Sequence, residues 1–108
     1  MKHEIRETGG ASVVAFEGDV DLETSPTARK VLLDCVGLKR PVLVDMSEVT
    51  YIDSSGVASL VESLQAARKT GLDFALVSVS EAALRVLQLA RLDRVFTIHA
   101  TIEEALGG

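Results

Sequence analysis

The chain has 108 residues, of which 47% are hydrophobic and 25% are charged. This length fits one domain with a single core and is too short for a catalytic domain beside a binding domain. Sixteen acidic residues against eleven basic ones give a formal net charge of −5, which repels a nucleic-acid backbone, and the basic residues form no run. We therefore expect one folded domain over residues 1–108 that does not bind nucleic acid directly.

The cysteine content and the hydropathy pattern bear on location. The single cysteine, Cys35, cannot form an internal disulfide, and no signal-peptide pattern precedes the first predicted strand. No apolar run approaches the roughly 18 to 20 residues that a membrane-spanning helix needs. The sequence thus predicts a cytoplasmic protein without direct membrane insertion, which would reach a membrane only through a partner.

The chain begins with the pattern of an antiparallel hairpin. Residues 3–8 alternate loosely, residues 11–17 are rich in β-forming side chains, and Gly9 and Gly10 supply a turn between them. The acidic stretch from Gly18 to Asp21 follows, and we expect it to be a connection rather than part of a strand.

The first predicted helix begins where Ser25 precedes Pro26, the pattern of an N-cap followed by proline at the first helical position. Gly37 is expected as its C-cap glycine. Between them, apolar residues repeat at helical spacing and predict a buried stripe: Ala28, Val31, Leu32, Cys35 and Val36.

The centre of the chain predicts a strand, a helix and a second strand. Residues 42–44 form a short apolar run typical of a strand covered on both faces. The helix ends at Gly71, and residues 74–79 form the next strand. The buried face of this helix is predicted from its apolar positions: Val57, Leu60, Val61, Leu64 and Ala67.

The last third of the chain adds two helices and one strand. Ser80 is placed to cap a third helix, and residues 95–98 form a short strand. Thr101 and Glu104 have the spacing of a capping box and open a terminal helix that runs through Leu106. The predicted fold class is therefore α/β, with a mixed sheet of four to five strands and about four helices.

Two serines and a carboxylate stand at the start of the central helix, in the segment 51–57 (YIDSSGV). A helix N-terminus carries unpaired N–H groups and a partial positive charge, so it accepts a capping side chain, a carboxylate or a phosphate. By spacing alone, Asp53 or one of the residues Ser54 and Ser55 is an N-cap and nothing more. A phosphate at this helix start is the alternative.

The sequence offers no catalytic set. His3 and His99 are isolated from a serine in any triad pattern, and neither a G-x-S-x-G elbow nor a phosphate-binding loop with lysine is present. No pair of ligands has zinc spacing, and Cys35 lies on a core stripe. We expect no catalytic residues, no metal and no cofactor, and hence no enzyme.

Four segments carry a resemblance to a known family. Residues 49–57 (VTYIDSSGV) are similar to the signature of STAS domains of the bacterial anti-sigma factor antagonist family. Residues 18–21 (GDVD) resemble its G-x-[LIV]-D segment, residues 45–47 (DMS) its D-[LM]-S stretch, and residues 92–96 (LDRVF) its late loop and strand. The order and spacing of elements match over nearly the whole chain, which implies a STAS fold.

The resemblance also implies a function. In that family the unphosphorylated protein binds an anti-sigma factor that is also a serine kinase with a GHKL-type ATPase fold, which frees a sigma factor; phosphorylation ends the binding and a phosphatase restores it. Carried over, the phosphorylated residue is Ser54, with Ser55 as the alternative. The sequence departs from the common Leu-Gly at Val57-Ala58. The implied partner-binding residues are Asp19, Asp21, Asp53, Ser54, Ser55, Gly56, Val57 and Ala58.

A second function fits the same resemblance. Single STAS domains also serve as small subunits of ABC-type lipid transporters and as parts of anion transporters, where they dock on an ATPase or a permease. No feature of the sequence decides between sigma-factor regulation and transport.

Overall fold

The computed structural model describes residues 1–107, so Gly108, the last residue of the predicted domain, lies outside the described residues. Residues 1–107 form five strands and four helices. In chain order they are β1 (Lys2–Thr8), β2 (Ala11–Val20), α1 (Ser25–Gly37), β3 (Val42–Ile52), α2 (Ser54–Lys69), β4 (Phe74–Val77), α3 (Glu81–Leu89), β5 (Thr97–His99) and α4 (Ile102–Ala105).

The strands form one mixed sheet in the order β1-β2-β3-β4-β5. The first pair is antiparallel and the other three pairs are parallel. Gly9 and Gly10 join the first pair with φ angles of 58° and 82°, as a two-residue turn of the I′ type requires. The predicted hairpin and the mixed α/β sheet are confirmed.

The two faces of the sheet are covered unequally. Helices α1, α2 and α3 pack on one face around a core that includes Leu32, Met46 and Leu76. The other face has a smaller cluster that includes Val13, Leu43 and Val77, and the short α4 packs against it. The helices that follow β2 and β3 thus lie side by side on one face, and their N-termini emerge at the carboxyl edge of the sheet.

Strands β2 and β3 are longer than predicted. The expected connection at residues 18–20 is part of β2, because its backbone pairs with β3: Asp19 lies opposite Tyr51 and Val20 opposite Ile52. The prediction of a connection is wrong for these residues, and only Asp21 lies beyond the strand. Glycine and aspartate disfavour strands in isolation, so the pairing with β3 decided their conformation.

Both predicted ends of the first helix are wrong by one residue. The N-cap is Thr24, and Ser25 is a buried helical residue whose carbonyl oxygen accepts a hydrogen bond from the Ser59 hydroxyl at 3.1 Å. At the other end Gly37 is still helical and the C-cap is Leu38. The left-handed position after the C-cap, which usually takes glycine, is occupied by Lys39 at φ 59°.

The later elements follow the prediction more closely. Ser80 caps α3 by accepting the Ala83 N–H at 3.2 Å, and Thr101 caps α4 by accepting the Glu104 N–H at 3.0 Å. Strand β4 ends at Val77 instead of residue 79, and β5 covers Thr97–His99 instead of 95–98. Phe96, just before β5, is buried in the core.

Candidate functional site

Asp53 is the N-cap of α2. Its backbone is extended, and its Oδ1 atom accepts the N–H groups of Ser55 at 2.9 Å and Gly56 at 3.1 Å. Its carbonyl oxygen accepts the Val57 N–H at 2.9 Å. One aspartate therefore satisfies three backbone donors of the first turn, and the structure selects Asp53 over the serines as the cap.

The other carboxylate oxygen of Asp53 reaches a different part of the chain. Oδ2 accepts the backbone N–H of Leu22 at 3.1 Å, and the Asp53 N–H donates to the carbonyl oxygen of Val20 at 3.3 Å. These two bonds join Asp53 to residues that lie 31 and 33 positions earlier in the chain, at the carboxyl ends of β2 and β3. Asp53 fixes the start of α2 to the loop that leads into α1.

Gly56 is the residue that allows this close approach. A Cβ atom at Gly56 would lie 2.5 Å from the carbonyl oxygen of Val20 and 2.7 Å from Cγ1 of Ile52. Real contacts are longer, and the first of these atoms belongs to a paired strand that cannot move freely. Only glycine fits at this position.

The two serines have different surroundings. Ser54 is the first residue of α2 and is exposed. Ser55 is half-buried beside α1, and its carbonyl oxygen accepts the Ser59 hydroxyl at 3.1 Å. Ser54 is therefore the more accessible of the two serines.

The two aspartates of the 18–21 segment are held by local bonds. Asp19 accepts the Thr50 hydroxyl at 2.7 Å. Asp21 accepts the N–H groups of Thr24 at 3.1 Å and Glu23 at 3.0 Å. The pKa of the Asp21 carboxyl lies below its ordinary value, mainly because the carboxylate accepts the hydrogen bond from the Thr24 N–H. Asp21 thus orders the loop, and the Leu22–Asp53 bond places that loop beside the start of α2.

The remaining predicted residues divide between core and surface. Gly56 and Val57 are buried, whereas Ala58 is exposed on the same turn. Sequence reasoning missed two large apolar side chains at this edge: Leu22, with 73% of its surface exposed, and Tyr51, with 52% exposed. The available signal for Leu22 was its position between Asp21 and Glu23, directly after the predicted connection.

The groups considered for catalysis or metal binding are dispersed. Cys35 is 1% exposed, and burial raises the pKa of its thiol, as its predicted place on the core stripe implies. His3 is in β1 and His99 is in β5. Among residues 1–107, no three His, Cys, Asp or Glu side chains are grouped to hold a metal ion. None of the helices in this part of the chain combines the length and the apolar character that a membrane span requires.

A mixed sheet with three helices on one face, and an aspartate-capped helix start with two serines, are the features of a STAS domain. The chain belongs to this family, because the STAS domain model matches residues 2–105.

Individual relatives agree with this assignment. A protein from Thermotoga neapolitana is 42% identical over 65 residues, 60% of this chain and 58% of that relative's length. The anti-sigma-B factor antagonist of Bacillus subtilis is 24% identical over 90 residues, which are 83% of each chain. The crystal structure of an anti-sigma factor antagonist from Mycobacterium paratuberculosis matches with a TM-score of 0.88 at 26% identity, over 98% of this chain and 91% of that one.

Proposed function

We propose that this protein is an anti-sigma factor antagonist that acts by binding and not by catalysis. The observation that carries the proposal is an exposed Ser54 at a helix start that Asp53 and Gly56 hold rigidly, in a fold shared with anti-sigma factor antagonists. In its unmodified form the chain binds an anti-sigma factor that is also a serine kinase, and a sigma factor is released.

The kinase then modifies its own inhibitor. The Ser54 Oγ forms a bond to the γ-phosphorus of ATP, the bond between that phosphorus and ADP breaks, and the hydroxyl proton passes to a base of the kinase. Ser54 is favoured over Ser55 because it is exposed, whereas Ser55 is half-buried beside α1. A phosphatase returns the chain to its binding-competent form.

The effect of the phosphate follows from its surroundings. It adds about −1.5 to −2 charges beside Asp53, and the N–H groups of Ser55, Gly56 and Val57 already have Asp53 as their acceptor. The fold therefore gains little from the new group and, since Ser54 is exposed, loses little. At a bound interface the same charge would be desolvated, and a penalty of about 3 kcal/mol weakens binding roughly 100-fold.

Phosphorylation with a matched pair of variants tests the proposal. A partner captured with the chain as bait is purified and incubated with ATP and with wild type, Ser54→Ala or Ser55→Ala, and the phosphate is mapped by mass spectrometry. We expect one phosphate on Ser54 in wild type and in Ser55→Ala, and none in Ser54→Ala. A stoichiometric phosphate at another residue would refute the site. Capture of a transporter ATPase or permease in place of a kinase would refute sigma-factor regulation.

A further inference from the structure

We propose that Leu22 is the apolar anchor by which this chain engages its anti-sigma factor, and that it fits a hydrophobic pocket bordered by lysine or arginine side chains. The inference rests on the proposed function and deepens it. Leu22 is 73% exposed, although burial of a leucine side chain away from water is favourable. Its position next to the modified helix start distinguishes it from an isolated surface leucine.

The anchor is held in place before binding. The Leu22 N–H donates to Asp53 at 3.1 Å. The Thr24 side chain holds the residues before Leu22: its Oγ1 accepts the Asp21 N–H at 2.9 Å and donates to the Asp19 carbonyl oxygen at 2.9 Å. Because the backbone at Leu22 is already ordered, binding costs little backbone conformational entropy, which favours an interface anchor at this position.

The surroundings of Leu22 define the chemistry of the partner surface. Tyr51, 52% exposed, is the last residue but one of β3 and lies opposite Asp19 of β2, and aromatic residues are enriched in interface centres. Asp19, Asp21 and Glu23 lie within three residues of the leucine. Their negative charge is complementary to a pocket with a cationic border and would repel an acidic one.

The chain contains a matched control for this anchor. Leu89, 81% exposed, is at the end of α3. This helix begins next to the carboxyl end of β4 and returns so that β5 can run parallel to β4. Leu89 therefore lies at the opposite edge of the sheet from Ser54, and its removal has no effect on the proposed interface.

The test compares Leu22→Ser and Leu89→Ser in binding to the captured kinase by calorimetry and in steady-state phosphorylation. We expect Leu22→Ser to raise Kd at least ten-fold and to raise KM for the protein substrate with kcat unchanged, because the reacting hydroxyl is intact. Leu89→Ser should match wild type, and both variants should keep the melting temperature.

Further outcomes separate the inference from the function on which it rests. If both variants had the Kd of wild type, Leu22 would not be the anchor, although sigma-factor regulation would stand. If both variants weakened binding equally, Leu22 would again not be the anchor. A wild-type chain that neither binds nor is phosphorylated would refute the proposed function itself. Glu23→Gln should slow association several-fold at low salt and much less at high salt; the same association rate as wild type would overturn the cationic border.

Discussion

The backbone of Gly56 lies so close to the carbonyl oxygen of Val20 that a Cβ atom at position 56 would be 2.5 Å from it. The first turn of α2 is thereby pressed against the last residue of β2. The same carbonyl oxygen accepts the Asp53 N–H at 3.3 Å, so it cannot move away without loss of that bond. The position of the candidate phosphorylation site therefore depends on a glycine that makes no side-chain contact.

A methyl group at position 56 should destabilise the fold. Gly56→Ala is expected to lower the free energy of unfolding by roughly 2 kcal/mol or more, because overpacking against a fixed backbone costs about 1 to 3 kcal/mol. Urea denaturation measures the change. Gly37→Ala is the matched control: nothing lies within 4 Å of a Cβ there, and alanine in a helix should be neutral or stabilising by up to about 1 kcal/mol. Equal stability of the two variants would contradict the close approach.

Asp53 uses both carboxylate oxygens, one for α2 and one for Leu22. Asp53→Asn leaves one acceptor oxygen for the two roles, so one set of bonds must be lost. Asp53→Ala loses both and should destabilise the protein by about 1 to 2 kcal/mol, the usual cost of a lost N-cap. The asparagine variant should lie between alanine and wild type in thermal denaturation. An asparagine variant as stable as wild type would show that only one oxygen matters.

A negative charge at Ser54 should separate binding from stability. Ser54→Asp is expected to weaken binding of the kinase, because the charge is desolvated at the interface, and to leave the melting temperature almost unchanged since Ser54 is exposed. Ser54→Ala should bind normally and resist phosphorylation; it should cost little stability because Asp53 is the cap. A loss of folding in Ser54→Asp would instead assign Ser54 a structural role.

Acid should remove the contribution of Asp21. The pKa of its carboxyl is held below the ordinary value, mainly by the Thr24 N–H, so the unfolded chain takes up this proton at a higher pH than the folded chain. The stabilisation is complete above the unfolded pKa of about 4 and is lost as pH falls through the folded pKa. Asp21→Asn should therefore be less stable than wild type at neutral pH and show a shallower decline in acid. Urea denaturation of wild type and Asp21→Asn at about pH 7 and about pH 3 measures how far the free energy of unfolding of each protein falls in acid. An equal fall in the two proteins would exclude a contribution of Asp21.

Arg91 occupies a backbone conformation that favours glycine. It follows the C-cap of α3 at φ 60°, whereas the equivalent position after α2 is Gly71 at φ 71°. Arg91→Gly should stabilise the protein by about 1 kcal/mol through release of this strain. Arg91→Ala removes the charge and keeps the strain, so it should not stabilise. If both variants changed the melting temperature equally, the charge and not the backbone would be responsible.

Local patterns predicted the helices better than their ends. The 3.6-residue spacing located the buried faces of α1 and α2, because each face depends on residues within the same helix. The N-cap of α1 was predicted wrongly because Ser25 is buried against Ser59, 34 residues away. The strand character of residues 18–20 was missed for the same reason, since it comes from pairing with β3.

The sequence by itself determined the α/β class, the helix start at residues 53–56 and, through the motif around Asp53, the family. These features depend on residue types at short spacings, which a linear pattern contains. The tertiary structure decided that Asp53 is the cap, that Ser54 is exposed while Ser55 is half-buried, and that Leu22 is fixed beside them. Those outcomes depend on contacts between strands and helices about 30 residues apart, where accessibility and hydrogen-bond partners are set by the packing of the whole sheet.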